Sequence, residues 1–387
     1  MGSEHLTNRG SHTLLLGLVL AGAWSYLLFT LQVDWSLGGN SWRQGDWLIH
    51  GLAEPVRRGP FGTALLTLAD VLRISPLALL IAFQGLVVTL IFGAVGVAAI
   101  KLGVTDKLLL VLFSPAFFFL FWFNDPQGAM RKEMLVYLAF VPLMVAAGWR
   151  QASSWAMGLA ILIFGGAVFA HEGNVFFLPF FWLALWLVLP ARLAVAGRVI
   201  VLSLPALLAL GSGLYALAYP LVADTAPICT HLVQRGLSPS VCDGAISYLS
   251  TTPSEGRMHP GRLLTTEFRS FLLIYAACLL AFRMLFSGAP KSDLGFLAAA
   301  FSGLAFLPLY LLGGDYGRWL SFHVSALVLV LLVYFLRARP EWLFRPLARL
   351  DFFCVLALYL VVGVSHSPGE FIDGFLVNLA RGVSKII

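Results

Sequence analysis

From Thr13 to Val33 the chain runs without one charged residue, and apolar runs of this kind return along most of its length. An α-helix rises about 1.5 Å per residue, so about 20 apolar residues cross the ~30 Å hydrocarbon core of a bilayer. Of the 387 residues, 59% are hydrophobic and 11% are charged, where an ordinary soluble domain is about 25% charged. Too little polar material remains to coat a water-facing surface, which excludes a soluble globular enzyme and a disordered chain. An all-α, polytopic transmembrane helix bundle is expected, one integral membrane domain over 1–387.

Helices are predicted near 13–33, 76–100, 108–126, 129–148, 154–173, 174–190, 199–220, 270–286, 294–313, 317–336 and 351–365, eleven spans in all. The first run ends in Val33-Asp34-Trp35 without a small-x-small cleavage pattern, so it is expected to stay as a helix. Segment 62–74 is too short and too charged to span and suits an interfacial or re-entrant helix. Residues 221–269, punctuated by Pro, Gly and Ser, form the long outer (periplasmic) loop.

With the N-terminus inside, the inner side holds 12 Lys and Arg against 5 acids, and the outer side 13 against 14. Basic residues concentrate in the short cytoplasmic loops of membrane proteins, which supports this orientation. It also puts Cys229 and Cys242 outside, where a disulfide between them can persist. An odd span count leaves the C-terminus outside.

Six of the eight histidines and 14 of the 19 acids fall on that outer side. Asp125-Pro126 has the form of a helix start, an acid at the N-cap followed by proline. The apolar stretch after it, Met134 to Gly148, is short, so a spanning helix draws Arg131, Lys132 and Glu133 below the outer surface. Cations near a helix N-terminus make an anion site. His171-Glu172-Gly173-Asn174 presents an ionisable pair in a tight turn at the same boundary, costly unless partnered or wet. Gly313-Gly314-Asp315-Tyr316-Gly317-Arg318-Trp319 offers Asp315 and Arg318 at i, i+3. The first outer loop, 34–62, carries Asp34, Arg43, Asp46, His50, Glu54 and the adjacent Arg57 and Arg58 among Trp35, Trp42 and Trp47. Arginine grips phosphate oxygens in bidentate fashion. Each motif also has a bland reading, as snorkelling cations, a structural histidine, a self-neutralising turn or a loop on lipid head groups. No HExxH, CxxC, Walker A or GxSxG pattern points to metal, redox, nucleotide or serine chemistry, so neither a metal nor a cofactor is expected.

The set Arg131-Lys132-Glu133, His171-Glu172-Gly173 and Asp315-Tyr316-Gly317-Arg318-Trp319, each at an outer helix end, resembles the Wzy-type or EpsG-like bacterial polysaccharide polymerases. The resemblance covers most of the chain in helix number and in the large outer loop, although Arg235, Arg257, Arg262 and Arg269 are scattered along that loop without an arginine-rich signature. It implies a multi-pass enzyme of the bacterial inner membrane that moves a glycan between undecaprenyl diphosphate carriers, metal-independent, with membrane lipid and a chain-length regulator or other assembly proteins as partners and no nucleic acid. Arg131, Lys132 and Arg318 are then expected at the diphosphate, Arg57 and Arg58 at the second carrier, His171 or Glu172 as base, and Asp315 orienting Arg318. A GT-C-type enzyme using a lipid-phosphate sugar is the alternative, and its essential acid in the first outer loop corresponds to Asp34 or Asp46. A flippase or transporter of lipid-linked glycans is the alternative outside enzymes. Charge along a midplane path marks transporters, and the mid-helix regions here are nearly free of it.

Overall fold

A computed structural model describes residues 2–149, 153–191, 193–219, 222–250, 266–367 and 370–384. In chain order the helices are α1 (Gly2–Ser36), α2 (Gly45–Leu48), α3 (Gly59–Leu72), α4 (Pro76–Leu102), α5 (Asp106–Leu112), α6 (Phe118–Asn124), α7 (Met134–Gly148), α8 (Ser153–Ala170), α9 (Leu178–Val188), α10 (Val195–Ala218) and α11 (Ala226–Gln234). They continue with α12 (Thr266–Leu285), α13 (Ser292–Phe301), α14 (Leu307–Leu312), α15 (Tyr316–Ala338), α16 (Arg349–Val361) and α17 (Phe375–Ser384). Between the last two, β1 (Val362–Val364) and β2 (Phe371–Asp373) pair antiparallel, with Gly363 opposite Ile372.

Among the described residues five helical runs are long and apolar enough to cross a membrane: Gly10–Ser36, Pro76–Leu102, Val195–Ala218, Ser292–Leu311, in which a 3-10 turn joins α13 to α14, and Tyr316–Ala338. Several present bare apolar faces, as α10 does with Leu207, Leu214 and Leu217. Exposed apolar surface on that scale suits lipid and not water as the solvent.

Other expected spans take a different form. The run 108–126 is interrupted after Leu112 and resumes as α6 at Phe118. Pro115 has no N–H to donate and disfavours helix in the residue before it, which the apolar composition of the run conceals. Ser325 Oγ accepts a 3.1 Å hydrogen bond from the Phe118 N–H where the helix restarts. Asp125-Pro126 opens only a 3-10 turn, Pro126–Gly128, and α7 begins at Met134, so Arg131, Lys132 and Glu133 lie ahead of the helix and not within it. The segment 351–365 leaves the helix at Val361 and enters the hairpin. The segment 221–269, expected as the outer loop, contains α11, and its Arg257 and Arg262 lie outside the described residues.

The chain divides into two compact units. The first comprises Met1–Tyr26, Phe92–Ala129 and Arg257–Ile387. Its core is α15, buried along nearly its whole length, and a cluster of Phe92, Phe118, Phe119 and Trp122 rings. The second comprises Leu27–Ile91 and Met130–Gly256. There α7, α8 and α9 pack through Phe140, Phe164 and Phe181, the last two stacked at 4.3 Å. Cys229 and Cys242 are joined by a disulfide with Cα atoms 6.0 Å apart, which ties α11 to the 3-10 turn Pro239–Cys242. Thiol titration of the denatured, unreduced protein is expected to count two free thiols, Cys278 and Cys354, and four would contradict the bond.

Candidate functional site

In the second unit, three segments far apart in sequence meet at Arg58, which pairs with the Glu172 carboxylate and takes a bond from Lys132 on its carbonyl oxygen. Arg58 donates from Nε to both carboxylate oxygens at 3.0 and 2.9 Å and from Nη2 to Oε1 at 2.7 Å. Arg57 brings Nη1 to 3.9 Å from Oε1, while its buried Nε makes no hydrogen bond among the described residues. Lys132, fully buried, donates from Nζ to the Arg58 carbonyl oxygen at 2.9 Å. Asp46, also buried, lies within electrostatic reach of Lys132.

Local structure explains how these side chains are presented. Arg58 is the N-cap of α3 with φ 65°, and Met130 has φ 55°. Left-handed backbone at a residue with a side chain costs on the order of 1–3 kcal/mol and gathers at functional sites. The surroundings hold the second strained residue in place: Trp47 Nε1 and Gln84 Nε2 both donate to the Met130 carbonyl oxygen, at 2.9 and 3.0 Å. Gln84 in turn accepts from Gln44 Nε2 at 2.9 Å. Arg131, 6% exposed, lays its guanidinium 5.0 Å from the Trp42 ring centroid. Asn174 Nδ2 closes the α8 end by donating to the Ala167 carbonyl oxygen at 2.9 Å.

Arg57, Arg58, Arg131 and Lys132 outnumber the buried or half-buried acids Asp46, Glu133 and Glu172. These residues carry more cations than acids, and the two adjacent arginines that reach Glu172 are of the type that can grip an anion. Glu172 is committed to Arg58, which makes it an orienting counter-ion and a poor proton acceptor. His171 is engaged as well, because its Nδ1 accepts from the Gly173 N–H at 2.9 Å. In the neutral ring that places the proton on Nε2, a donor and not a base.

Asp34 is taken up by Arg43 at 2.8 and 2.6 Å in a buried pair, a structural tie across the start of the first loop. His50 is buried in the same loop: its Nε2 faces the Ile228 carbonyl oxygen at 3.3 Å and its Nδ1 accepts from the Leu52 N–H at 3.2 Å. His231 stacks on it at 5.6 Å. Burial, reinforced by His231 and Arg235 and opposed by the Ile228 carbonyl, moves His50 from 6.5 down to about 4. A base with a depressed value is protonated more readily in the unfolded chain, so its contribution to stability is complete above pH 6.5 and falls as pH drops toward 4. Melting curves at pH 7.5 and 4.5 should show that loss, and His50→Gln should reduce it.

Asp315 and Arg318 belong to the first unit, with Nη1 to Oδ2 at 3.5 Å and Arg318 only 7% exposed. Arg318 is thus built into a different unit from Arg131 and Lys132. Beside it stands a pair that the sequence motifs did not signal: His366, in the hairpin loop, bonded to Asp125 at 2.6 Å. Asp125 lay inside a recognised motif, but its partner is 241 positions away and has no distinctive neighbours. Among the described residues no group of His, Cys, Asp and Glu could hold a metal ion. The chain matches no protein-family profile, no curated protein and no solved structure.

Proposed function

We propose that the protein is a membrane-embedded glycan transferase that extends a surface polysaccharide on polyprenyl diphosphate carriers, with Arg57, Arg58 and Lys132 holding a diphosphate. The observation that carries this reading is that Arg57 and Arg58 both reach the Glu172 carboxylate while the buried Lys132 binds the Arg58 carbonyl oxygen beside them. When the glycosidic carbon leaves its carrier, negative charge grows on the diphosphate, and preorganised cations in a water-poor setting stabilise it. Glu172 aligns Arg58 and limits the mutual repulsion of the arginines. Arg57, the least committed of the three, supplies donors to the ligand.

In this reading the N-terminus is inside, the chain is an inner-membrane protein of about eleven passes, and the cluster faces outward. α7 is 15 residues long, about 22 Å at 1.5 Å per residue and short of a ~30 Å core. The residues at its start would then lie below the outer boundary, where a lipid-linked head group arrives laterally. Cysteine labelling from outside should reach positions near 128 and 315, and labelling near 195 and 342 should require access from inside; a reversed pattern would remove the outward site.

The direct test is reconstitution in proteoliposomes with a synthetic polyprenyl-diphosphate oligosaccharide. A ladder of longer glycans on gels is expected from the wild type, with a fall of about 10²-fold or more in Lys132→Met, the scale seen when a preorganised charge-stabilising donor is removed. No elongation by active-site-intact, well-folded protein would overturn the reading.

A further inference from the structure

We propose that Tyr248, backed by Trp42 and Arg131, is the surface on which a sugar ring of the carrier-linked glycan stacks. The inference rests on the transferase reading and names the part of the substrate that the cations do not hold. Every residue it uses belongs to the second unit.

Residues 131 and 132 send their side chains two ways. Lys132 reaches the Arg58 carbonyl oxygen, while Arg131 lays its guanidinium 5.0 Å from the centroid of the Trp42 ring. Consecutive Cα atoms are about 3.8 Å apart, so the lysine bonded to Arg58 and the arginine on the indole leave the chain side by side. The first sugar of a lipid-linked glycan is bonded to the diphosphate itself. A surface that receives the sugars therefore has to adjoin the cations that receive the phosphates.

Trp42 in turn meets Tyr248, with ring centroids 5.0 Å apart and planes tilted by 57°. Arg131 is 6% exposed and Tyr248 59% exposed. The three make a series from a buried cation, through an indole, to a ring open on one side. Backbone contacts hold that ring in place. The Ala245 N–H donates to the Ser41 carbonyl oxygen at 3.0 Å, the Tyr248 N–H to that of Gly244 at 3.2 Å and the Val222 N–H to that of Leu249 at 3.4 Å. A Cβ on Gly244 would stand 2.6 Å from the Ser41 carbonyl oxygen, and one on Gly45 would stand 2.7 Å from that of Val241. Glycine at both positions lets segment 241–248 lie directly on 41–45. A ring fixed in advance loses little conformational entropy when a ligand packs on it.

Polar groups flank the aromatic pair, since Asn40 and Ser41 precede Trp42 in the chain. Asn40 Oδ1 accepts from the Trp42 and Arg43 N–H groups, each at 2.9 Å. Its Nδ2 makes no hydrogen bond among the described residues, and neither do the hydroxyls of Ser41 and Tyr248. A pyranose has the complementary features. Its C–H faces pack against an aromatic ring, and the hydroxyls around its edge need hydrogen-bond partners.

The test uses the protein in proteoliposomes and a polyprenyl-diphosphate oligosaccharide of hexose and N-acetylhexosamine units. Tyr248→Ala is expected to raise KM for that carrier about tenfold, in the lower part of the range for rings that stack on aromatic side chains. The loss should fall on KM and not on kcat, as removal of uniform binding does. Tyr248→Phe restores the face of the ring and should recover most of that loss. Polyprenyl diphosphate without a sugar should bind Tyr248→Ala as it binds the wild type, because the cations are untouched. If the wild type elongates glycan and Tyr248→Ala does so at unchanged KM, or if Tyr248→Phe shares the full loss, the stacking surface falls and the transferase reading stands. An aromatic that served only as an anchor at the membrane boundary would give that unchanged KM. If the wild type elongates nothing, the transferase reading falls, and the same oligosaccharide freed of its carrier decides the surface alone. Saturation-transfer NMR should then show contact with the wild type and lose it in Tyr248→Ala. No signal from the wild type, or equal signals from the two proteins, overturns the proposal.

Discussion

Glu172→Gln is expected to destabilise the purified protein by about 2–4 kcal/mol, near the cost of breaking a buried ion pair by removing one partner. The amide keeps the shape of the carboxylate but not its charge, so Arg58 and Arg57 are left side by side with Lys132 bonded to the Arg58 carbonyl oxygen. The Glu172 side chain is 25% exposed, which lets water recover part of the loss and sets the lower end of the range. The double variant Arg58→Met, Glu172→Gln removes the orphaned charge together with its partner. It should therefore melt above Glu172→Gln alone, the non-additivity that a double-mutant cycle reads as coupling. Thermal unfolding in one detergent gives all four corners of that cycle. Equal melting of Glu172→Gln and wild type would mean that the cations do not depend on this carboxylate.

Gly317→Ala is the second large effect expected. Its Cβ would fall on the Ser365 carbonyl oxygen, with Val364 Cγ1 at 3.0 Å. The α15 backbone is buried along its length and cannot easily give way, so the hairpin must retreat. That movement breaks the Arg318 N–H bond to His366 and draws the imidazole away from Asp125. Stability should fall by about 3 kcal/mol, the upper part of the overpacking range. Gly314→Ala is the matched control, since nothing stands within 4 Å of its Cβ position. It should melt and function as the wild type does. A harmless Gly317→Ala would show that the hairpin is not seated on this turn.

The sequence carried the predominantly helical, strongly apolar character of the chain because the apolar face of a helix is written in its composition. It also carried most of the cationic cluster. Arg57-Arg58, Arg131-Lys132 and His171-Glu172 stood out because charge beside short apolar runs is costly, and the fold gathers all three pairs in the second unit. What it could not carry were the interruptions and the distant partners. The run 108–126 reads as continuous by hydropathy, and only Pro115 betrays the break that Ser325 helps satisfy. Placing Arg131 to Glu133 inside a helix followed from counting residues against bilayer thickness, whereas the helix begins at Met134. Roles were harder still. His171 and Glu172 have the residue types of a base, yet a backbone N–H and a bidentate arginine occupy their lone pairs. His366 stands in no motif, since its partner Asp125 is reached only through the fold.

The claim that the Arg57, Arg58 and Lys132 cluster binds a lipid-linked diphosphate is tested most directly by binding itself. Wild-type and Arg57→Gln protein in nanodiscs would be titrated with polyprenyl diphosphate, with the polyprenyl alcohol and inorganic diphosphate as the two comparison ligands. Arg57 is the residue of choice because its Nε is uncommitted and Glu172 remains paired with Arg58, so the variant should melt as the wild type does. One charge-assisted contact contributes about 1.5–3 kcal/mol, which corresponds to a loss of about tenfold or more in affinity. The expected result is tight binding of polyprenyl diphosphate by the wild type, binding of the alcohol too weak to measure, and at least that tenfold loss in Arg57→Gln at unchanged melting temperature. Equal affinity for diphosphate and alcohol, or equal affinity of the two proteins for the diphosphate, would contradict it.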